Sequence, residues 1–229
     1  MKKVIMLYDY TGIMAKPWLD NGYEVWSFDG QHPAGITKDG NHNKVGMWFD
    51  AYDTTTHVKE IAEMVGDNVV FLFGFPECTN IAVSGAKHFD KKLKANPAVQ
   101  AEAVELARLV MYLGDYLNVP WGLENPVSVM STIWRKADFS FHPYEYGGYL
   151  PVNDVHPLYP AYIAPRDAYP KKTCIWCGNG FKEPVKAPVP CPPGYSAQQL
   201  KLGGKSTKTK NIRSATPRSF AEAVYQANK

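Results

Sequence analysis

At 229 residues, 45% hydrophobic and 21% charged, the chain suits one generous globular domain or one domain with an elaborated lobe, and its composition excludes intrinsic disorder. No run approaches the roughly 18 apolar residues that span a bilayer. The apolar stretch after Lys2 and Lys3 is short, carries Asp9 and lacks a small-residue cleavage site, so it reads as a first strand of a soluble, cytoplasmic protein. Net charge is only +3, but residues 201–218 hold six Lys or Arg and no acid. That stretch is either a solvated loop or a contact for a phosphate-bearing partner.

In chain order, VIMLYDY (4–10) predicts a strand, and TGIMAKPWLDNGY a helix stopped at Asn21-Gly22. EVWSFD (24–29) predicts a second strand, residues 30–43 a polar Gly-rich loop, and KVGMWFD (44–50) a third strand. THVKEIAEMV (56–65) has a helical apolar stripe, and NVVFLFGF (68–75) reads as a buried fourth strand. The longest helix is expected over 98–118, followed by a fifth strand, VPWGLEN (119–125). Residues 134–170, crowded with Tyr, Pro and His, predict an ordered aromatic insertion without regular period. KKTCIWCG (171–178) is a sixth strand, 179–212 a long loop, and 216–228 a closing helix capped by Thr216 with Pro217 at its first position. Apolar strands separated by amphipathic helices predict an α/β fold: a doubly wound, mostly parallel, Rossmann-like sheet.

In such a sheet ligands bind beyond the carboxyl ends of the strands, where this chain gathers its polar residues: Asp9 to Gly12, Asp29, Asp50, Pro76 to Cys78, Glu124 and Asn125. Asp29 is either a ribose ligand or a surface or capping acid, and Asp50 is a second candidate for ribose or an adenine amino group. The first turn, DYTG, lacks GxGxxG, which disfavours a dinucleotide and favours a nucleoside ligand without pyrophosphate, such as S-adenosylmethionine. Cys78 alone is either a small core residue or a nucleophile, and Glu124 either a cap or an acid. A thiolate beside a carboxyl group can add to carbon 6 of a pyrimidine while the acid protonates nitrogen 3. Cys174 and Cys177 have zinc-ligand spacing, with Cys191 and His156 as further candidates, but residues three apart on a strand face opposite ways. No metal is assigned.

The succession DYTG, an acid after strand two, FPEC after strand four and LENP after strand five resembles the cytosine carbon-5 DNA methyltransferase family. FPECTNIAVSGAKHF and ENPVSVMSTIW are most similar to the small bacteriophage-encoded members, as are PYEYGGY, YPKKTCIW and RSATPRSFA, so the resemblance runs over nearly the whole chain. It implies a methyltransferase-type sheet, S-adenosylmethionine as cofactor and DNA as partner, duplex with a flipped base or single-stranded, in the host cytoplasm if the chain is phage-encoded. Cys78 would be the nucleophile, Pro76 would shape its loop, Glu124 would bind and protonate the base, and Asn125 would brace the loop. Lys172 would stand for the family's basic residue near the base, with Arg166 as the alternative. Asp9, Tyr10, Thr11, Gly12, Asp29, Asp50 and Pro76 would line the cofactor, joined by Ser214 and Thr216 from the closing segment.

The chain departs from the family in three places. Glu77 replaces the usual proline before Cys78, the first loop has one glycine, and 179–212 stands where a full target-recognition domain would be. A carboxylate beside the nucleophile raises its pKa unless it points away or pairs with a lysine. Three alternatives follow: the same chemistry on a free pyrimidine nucleotide, a catalytically silent binding protein of the same fold, and a zinc-stabilised nucleic-acid module. Tyr144, Tyr146, Tyr149 and Trp134 are either packing residues or a stack for the target base.

Overall fold

Val4, Ile5, Met6 and Leu7 are all fully buried, as a strand covered on both faces must be. They belong to β1 (Lys3–Leu7), an inner strand of a seven-stranded sheet in a computed structural model that describes residues 1–193 and 206–229. The other strands are β2 (Glu24–Asp39), β3 (His42–Gly46), β4 (Val69–Gly74), β5 (Trp121–Pro126), β6 (Phe139–Phe141) and β7 (Thr173–Gly178), in the order β3-β2-β1-β4-β5-β7-β6. β1 runs parallel to β2 and β4, and β4 to β5, whereas β7 lies antiparallel to β5. The order is the doubly wound 3-2-1-4-5-6 with one antiparallel strand inserted before the last position. The fold is Rossmann-like.

The chain divides into two compact units: residues 1–140 with 173–181, and 141–172 with 182–229. In the first, β1 and β4 send alternate residues to opposite faces. Ile5, Leu7 and Leu72 pack with Val58, Ile61 and Val65 of α2 (Thr54–Val65) and Val104, Ala107 and Val110 of α4 (Val99–Leu117). On the other face Trp18 of α1 (Ala15–Asp20) stacks on Phe71 at 4.7 Å, and Phe71 and Phe73 meet Phe181. Each large apolar side chain buried here contributes roughly 1.5–3 kcal/mol. Two short helices that the periodicity does not announce, α3 (Phe89–Ala95) and α5 (Met130–Ile133), follow the β4 and β5 loops.

Residues 30–43 are not a loop. The second half of β2, 34–39, folds back antiparallel on β3, and residues 24–29 run parallel to the same strand. Asp39-Gly40 makes the turn, with Gly40 at φ +59°, the usual device of a tight hairpin. β3 therefore ends at Gly46 rather than at residue 50.

In the second unit Phe141, Tyr146 and Phe220 form the core, the Phe rings stacked 4.0 Å apart. Residues 184–190, PVKAPVP, carry prolines at 184, 188 and 190, and the N–H groups of Ala187 and Val189 bond the Glu145 and Tyr144 carbonyls along the 3₁₀ segment Pro143–Tyr149. Pro has no N–H to offer, so Pro188 and Pro190, on either side of Val189, lose no hydrogen bond when the segment pairs through Ala187 and Val189. Part of the expected loop is helical: α6 (Thr207–Ser214) starts at Ser206, whose side chain accepts from Thr209 N, and buries Thr209 and Ile212. Residues 194–205 of that expected loop lie outside the described residues. The last helix, α7 (Arg218–Asn228), begins one residue later than predicted, with Pro217 rather than Thr216 as its N-cap.

Candidate active site at the carboxyl ends of the strands

The strand order reverses between β1 and β4, the place where open α/β sheets bind ligands. Phe75 N donates to Leu7 O at 3.0 Å, so the loops after β1 and β4 leave the sheet side by side. The first turns sharply at Tyr8, a non-glycine residue at φ +59°, which sends Asp9 inward. Asp9 is 2% exposed; its Oδ1 accepts from Gly12 N at 2.9 Å and Thr11 Oγ1 at 3.3 Å, while Oδ2 is buried without a partner among the described residues. Burial raises its carboxyl to about 6 against those hydrogen bonds, and nearby Asp29 adds to the rise. Asp9 thus organises the turn from beneath, and Tyr10, half exposed, is the side chain it presents outward. Gly12 sits at φ +69°, and a Cβ there would lie 3.2 Å from His42 Cε1.

Asp29 keeps its place at the end of the parallel half of β2. Its Oδ1 accepts from Gln31 N at 2.8 Å. Gly30 allows the Trp48 ring to lie directly across the backbone, where any Cβ would collide with the indole; Trp48 is nonetheless 78% exposed. Asp50 is not at a strand end. It lies on the approach to α2, with Oδ1 accepting from Tyr52 N and its own N–H donating to His57 Nε2, both at 2.9 Å.

The loops after β4 and β5 are joined by three hydrogen bonds. Asn125 Nδ2 donates to Pro76 O at 3.0 Å within the core, Val83 N to Val127 O at 3.0 Å, and Val129 N to Ile81 O at 3.0 Å. Adjacent parallel strands, with Gly74 opposite Leu123, bring Cys78 and Glu124 to the same edge. Cys78 is half-buried against the core, and its carbonyl accepts from Ile81 and Ala82 N–H groups, so a helical turn starts at the cysteine. Glu77 is exposed and its Oε1 accepts from Thr79 Oγ1 at 2.6 Å. Water around an exposed carboxylate weakens its field at the neighbouring thiol.

Lys172, Ser214 and Thr216 belong to the second unit. Lys172 and Ser214 are exposed, the Ser214 hydroxyl donating to Asn211 O at 3.4 Å, and Thr216 is buried. Arg166, at φ +58°, donates from Nε to Gly147 O. Of the aromatic candidates, Tyr146 is core, and Trp134 packs against the first unit's core with the Arg135 guanidinium 4.9 Å over its ring. Cys174 is buried and Cys177 half-exposed on β7, and no group of three His, Cys, Asp or Glu placed to hold a metal occurs among the described residues. No helix among them is long and apolar enough to cross a membrane.

Three residues of this edge escape the sequence reading. His42 is buried with Nε2 2.9 Å from Ser27 Oγ, and burial, helped by Lys44 and His32, pushes it down to about 4. His32 is 8% exposed, 5.5 Å from the Tyr10 ring, and is also pushed down by burial. Lys92 of α3 donates to Thr79 O and Asn80 Oδ1, bracing the chain after Cys78. The Asp-Gly pair at 39–40 was a usable signal for the hairpin that carries both histidines; nothing in the local pattern marks Lys92.

No protein-family model matches the sequence, and no curated protein matches it. Among solved structures, a deacetylase triple mutant involved in teicoplanin biosynthesis aligns over 79% of this chain and 100% of that one, at 8% identity and a TM-score of 0.36. A similarity of that size carries no argument about function.

Proposed function

We propose that the chain is an S-adenosylmethionine-dependent methyltransferase acting on carbon 5 of cytosine in DNA, through a covalent bond from Cys78 to carbon 6. The observation that carries this reading is the hydrogen bond from Asn125 Nδ2 to Pro76 O. It ties the Glu-Asn loop to the Pro-Glu-Cys loop, the two motifs that act on one base in the resembled family. The antiparallel β7 beside β5 agrees with the methyltransferase-type sheet that the resemblance implies.

The residues at the edge fit a nucleoside bearing a charged sulfonium. Asp29 offers a carboxylate to a ribose diol, Tyr10 and Trp48 offer exposed rings, and Gly12 leaves the first turn low. Bound S-adenosylmethionine would supply the methyl group that carbon 5 accepts. Cys78, as thiolate, forms the bond to carbon 6 while Glu124 gives a proton to nitrogen 3, so that the displaced electron pair resides at carbon 5. After methylation, water takes the carbon 5 proton, the 5,6 double bond re-forms as Cys78 leaves as thiolate, and nitrogen 3 returns its proton to Glu124. Asn125 holds the nucleophile loop through the cycle. The target base must be flipped or unpaired.

Methyl transfer from tritiated cofactor to duplex DNA, single-stranded DNA and deoxycytidine nucleotides tests the proposal. Counts in DNA are expected; counts only in free nucleotides would move the substrate to that class. Cys78→Ser should abolish turnover while cofactor binding by calorimetry persists, and Glu124→Gln should lower the rate strongly because an amide cannot deliver the proton. Full activity in Cys78→Ser, or no cofactor heat at millimolar concentration, would sink the reading.

A further inference from the structure

The modest net charge conceals a division between the two units. The second unit carries twelve Lys and Arg against five Asp and Glu, a formal +7, and the first carries thirteen against seventeen, a formal −4. Three of the second unit's five acids are engaged internally. Glu145 pairs with Lys186 at 2.9 Å, Asp154 with Arg218 at 2.7 Å, and buried Asp167 accepts from Ser219 N at 2.8 Å with Arg218 3.9 Å away. Only Glu183 and Glu222 remain to offset the surface cations, and none lies between residues 184 and 221.

Three of those cations lie on α6. Thr209 and Ile212, three apart and therefore on one face, fasten the helix down, while Lys208, Lys210 and Arg213 are exposed around the rest of it. Lys208 and Lys210 make no ion pair among the described residues. The Lys208 ammonium sits 5.3 Å over the Tyr162 ring, which supports its stem and leaves its charge outward. Lys171 Nζ donates to Arg213 O at 3.0 Å, so the chain leading to Lys172 joins the helix at its carboxyl end, where positive charge is favoured. Lys172, Lys208 and Lys210 are thus exposed cations of this surface, and among the described residues none of the three makes an ion pair.

We infer that this surface is the docking face for the DNA phosphate backbone, and that it binds DNA without reading sequence. The inference rests on the proposed function for the identity of the partner. The argument is one of charge and shape. Lysines on an eight-residue helix supply point charges that suit phosphates in any sequence, whereas base reading needs side chains fixed by bidentate bonds. A cluster of exposed lysines on a unit of net +7 also draws a polyanion from a distance.

The test compares the wild type with Lys208→Ala/Lys210→Ala on two fluorescein-labelled duplexes of unrelated sequence, between 25 and 200 mM KCl, by anisotropy. Each lost phosphate contact lowers the slope of log K against log salt by about 0.9 on a duplex. The double variant should therefore show a slope shallower by about 1.8 and equal weakening on both duplexes. The Lys→Arg pair at the same positions should restore the wild-type slope. Circular dichroism checks that the fold is kept, and Lys16→Ala/Lys59→Ala on the first unit controls for loss of net charge.

An unchanged slope, an equal change in the control pair, or absence of wild-type binding at 25 mM KCl would overturn the inference. So would loss of binding to phosphatidylserine vesicles in the variant with DNA binding intact, since that would make the partner a membrane. If the slope falls as expected and no methyl reaches DNA, the docking face stands and the enzymatic reading fails. If methyl transfer proceeds with the slope unchanged, the reverse holds.

Discussion

Asp9→Asn isolates the cost of the buried carboxyl beneath the first loop. Burial raises that group from 3.8 to about 6, and each pKa unit is worth 1.36 kcal/mol, so ionising it in the folded protein costs about 3 kcal/mol. The sign follows from linkage. A carboxyl whose folded pKa lies above its unfolded value favours the fold below about pH 4, and that contribution is lost as pH rises through 6. Asparagine keeps an oxygen for Gly12 N and Thr11 Oγ1 but carries no charge to desolvate. Its amide lies where Oδ2 now has no partner, which adds an offset that does not change with pH.

The diagnostic is therefore the pH-dependent part of the difference between variant and wild type. Depressed His42 acts in the opposite sense, adding stability as pH rises from about 4 through its unfolded value of 6.5, but both proteins contain it and it cancels. Urea unfolding at intervals from pH 4 to 8, with m constant, should show the variant gaining about 2.5 kcal/mol on the wild type between pH 4 and 7.5. A difference that stays flat within about 0.5 kcal/mol would refute the claim that Asp9 is buried as a costly ion.

Two further outcomes are expected. Asn125→Ala removes the donor to Pro76 O and leaves a buried carbonyl unpaired, which should cost about 1–3 kcal/mol in urea unfolding and lower methyl transfer together with it; a loss under about 0.5 kcal/mol would mean that the two loops are not held by this bond. Gly12→Ala forces a Cβ onto a residue at φ +69° and against His42, so the melting temperature should drop by several degrees for a cost of about 1–2 kcal/mol, and an unchanged melting temperature would contradict the turn described here.

Strand ends were legible because apolar runs stop where burial stops. VVFLFG closes at Gly74, just before the loop of Cys78, and WGLENP carries Glu124, so the apolar runs mark where the two strands end, while their being neighbours is a pairing that the sheet decides. The third strand was misread because KVGMWFD continues apolar past Gly46: Trp48 is apolar yet 78% exposed, lying across Gly30 rather than in the core. Residues 30–43 read as loop because their polarity belongs to an exposed edge hairpin, whose Asp-Gly turn outweighs hydrophobicity as a signal. Lys208 and Lys210 appeared only as a basic run; that they surround an anchored helix depends on Thr209 and Ile212 finding a core, which no local period in TKTKNIRS announces.

By itself the sequence determined the alternation of strand and helix and the mostly parallel sheet, and it marked Asp9, Asp29, Cys78 and Glu124, though not Asp50, near strand ends, because burial on both faces of a strand leaves a periodic trace in a chain. Tertiary structure decided the rest: that Asp9 turns inward and stays hard to ionise, that Asn125 reaches Pro76 across 49 residues of chain, and that the charges divide as −4 and +7 between two units. These depend on which distant groups meet in a low-dielectric interior, and hydrogen bonds and desolvation between distant residues leave no period to read.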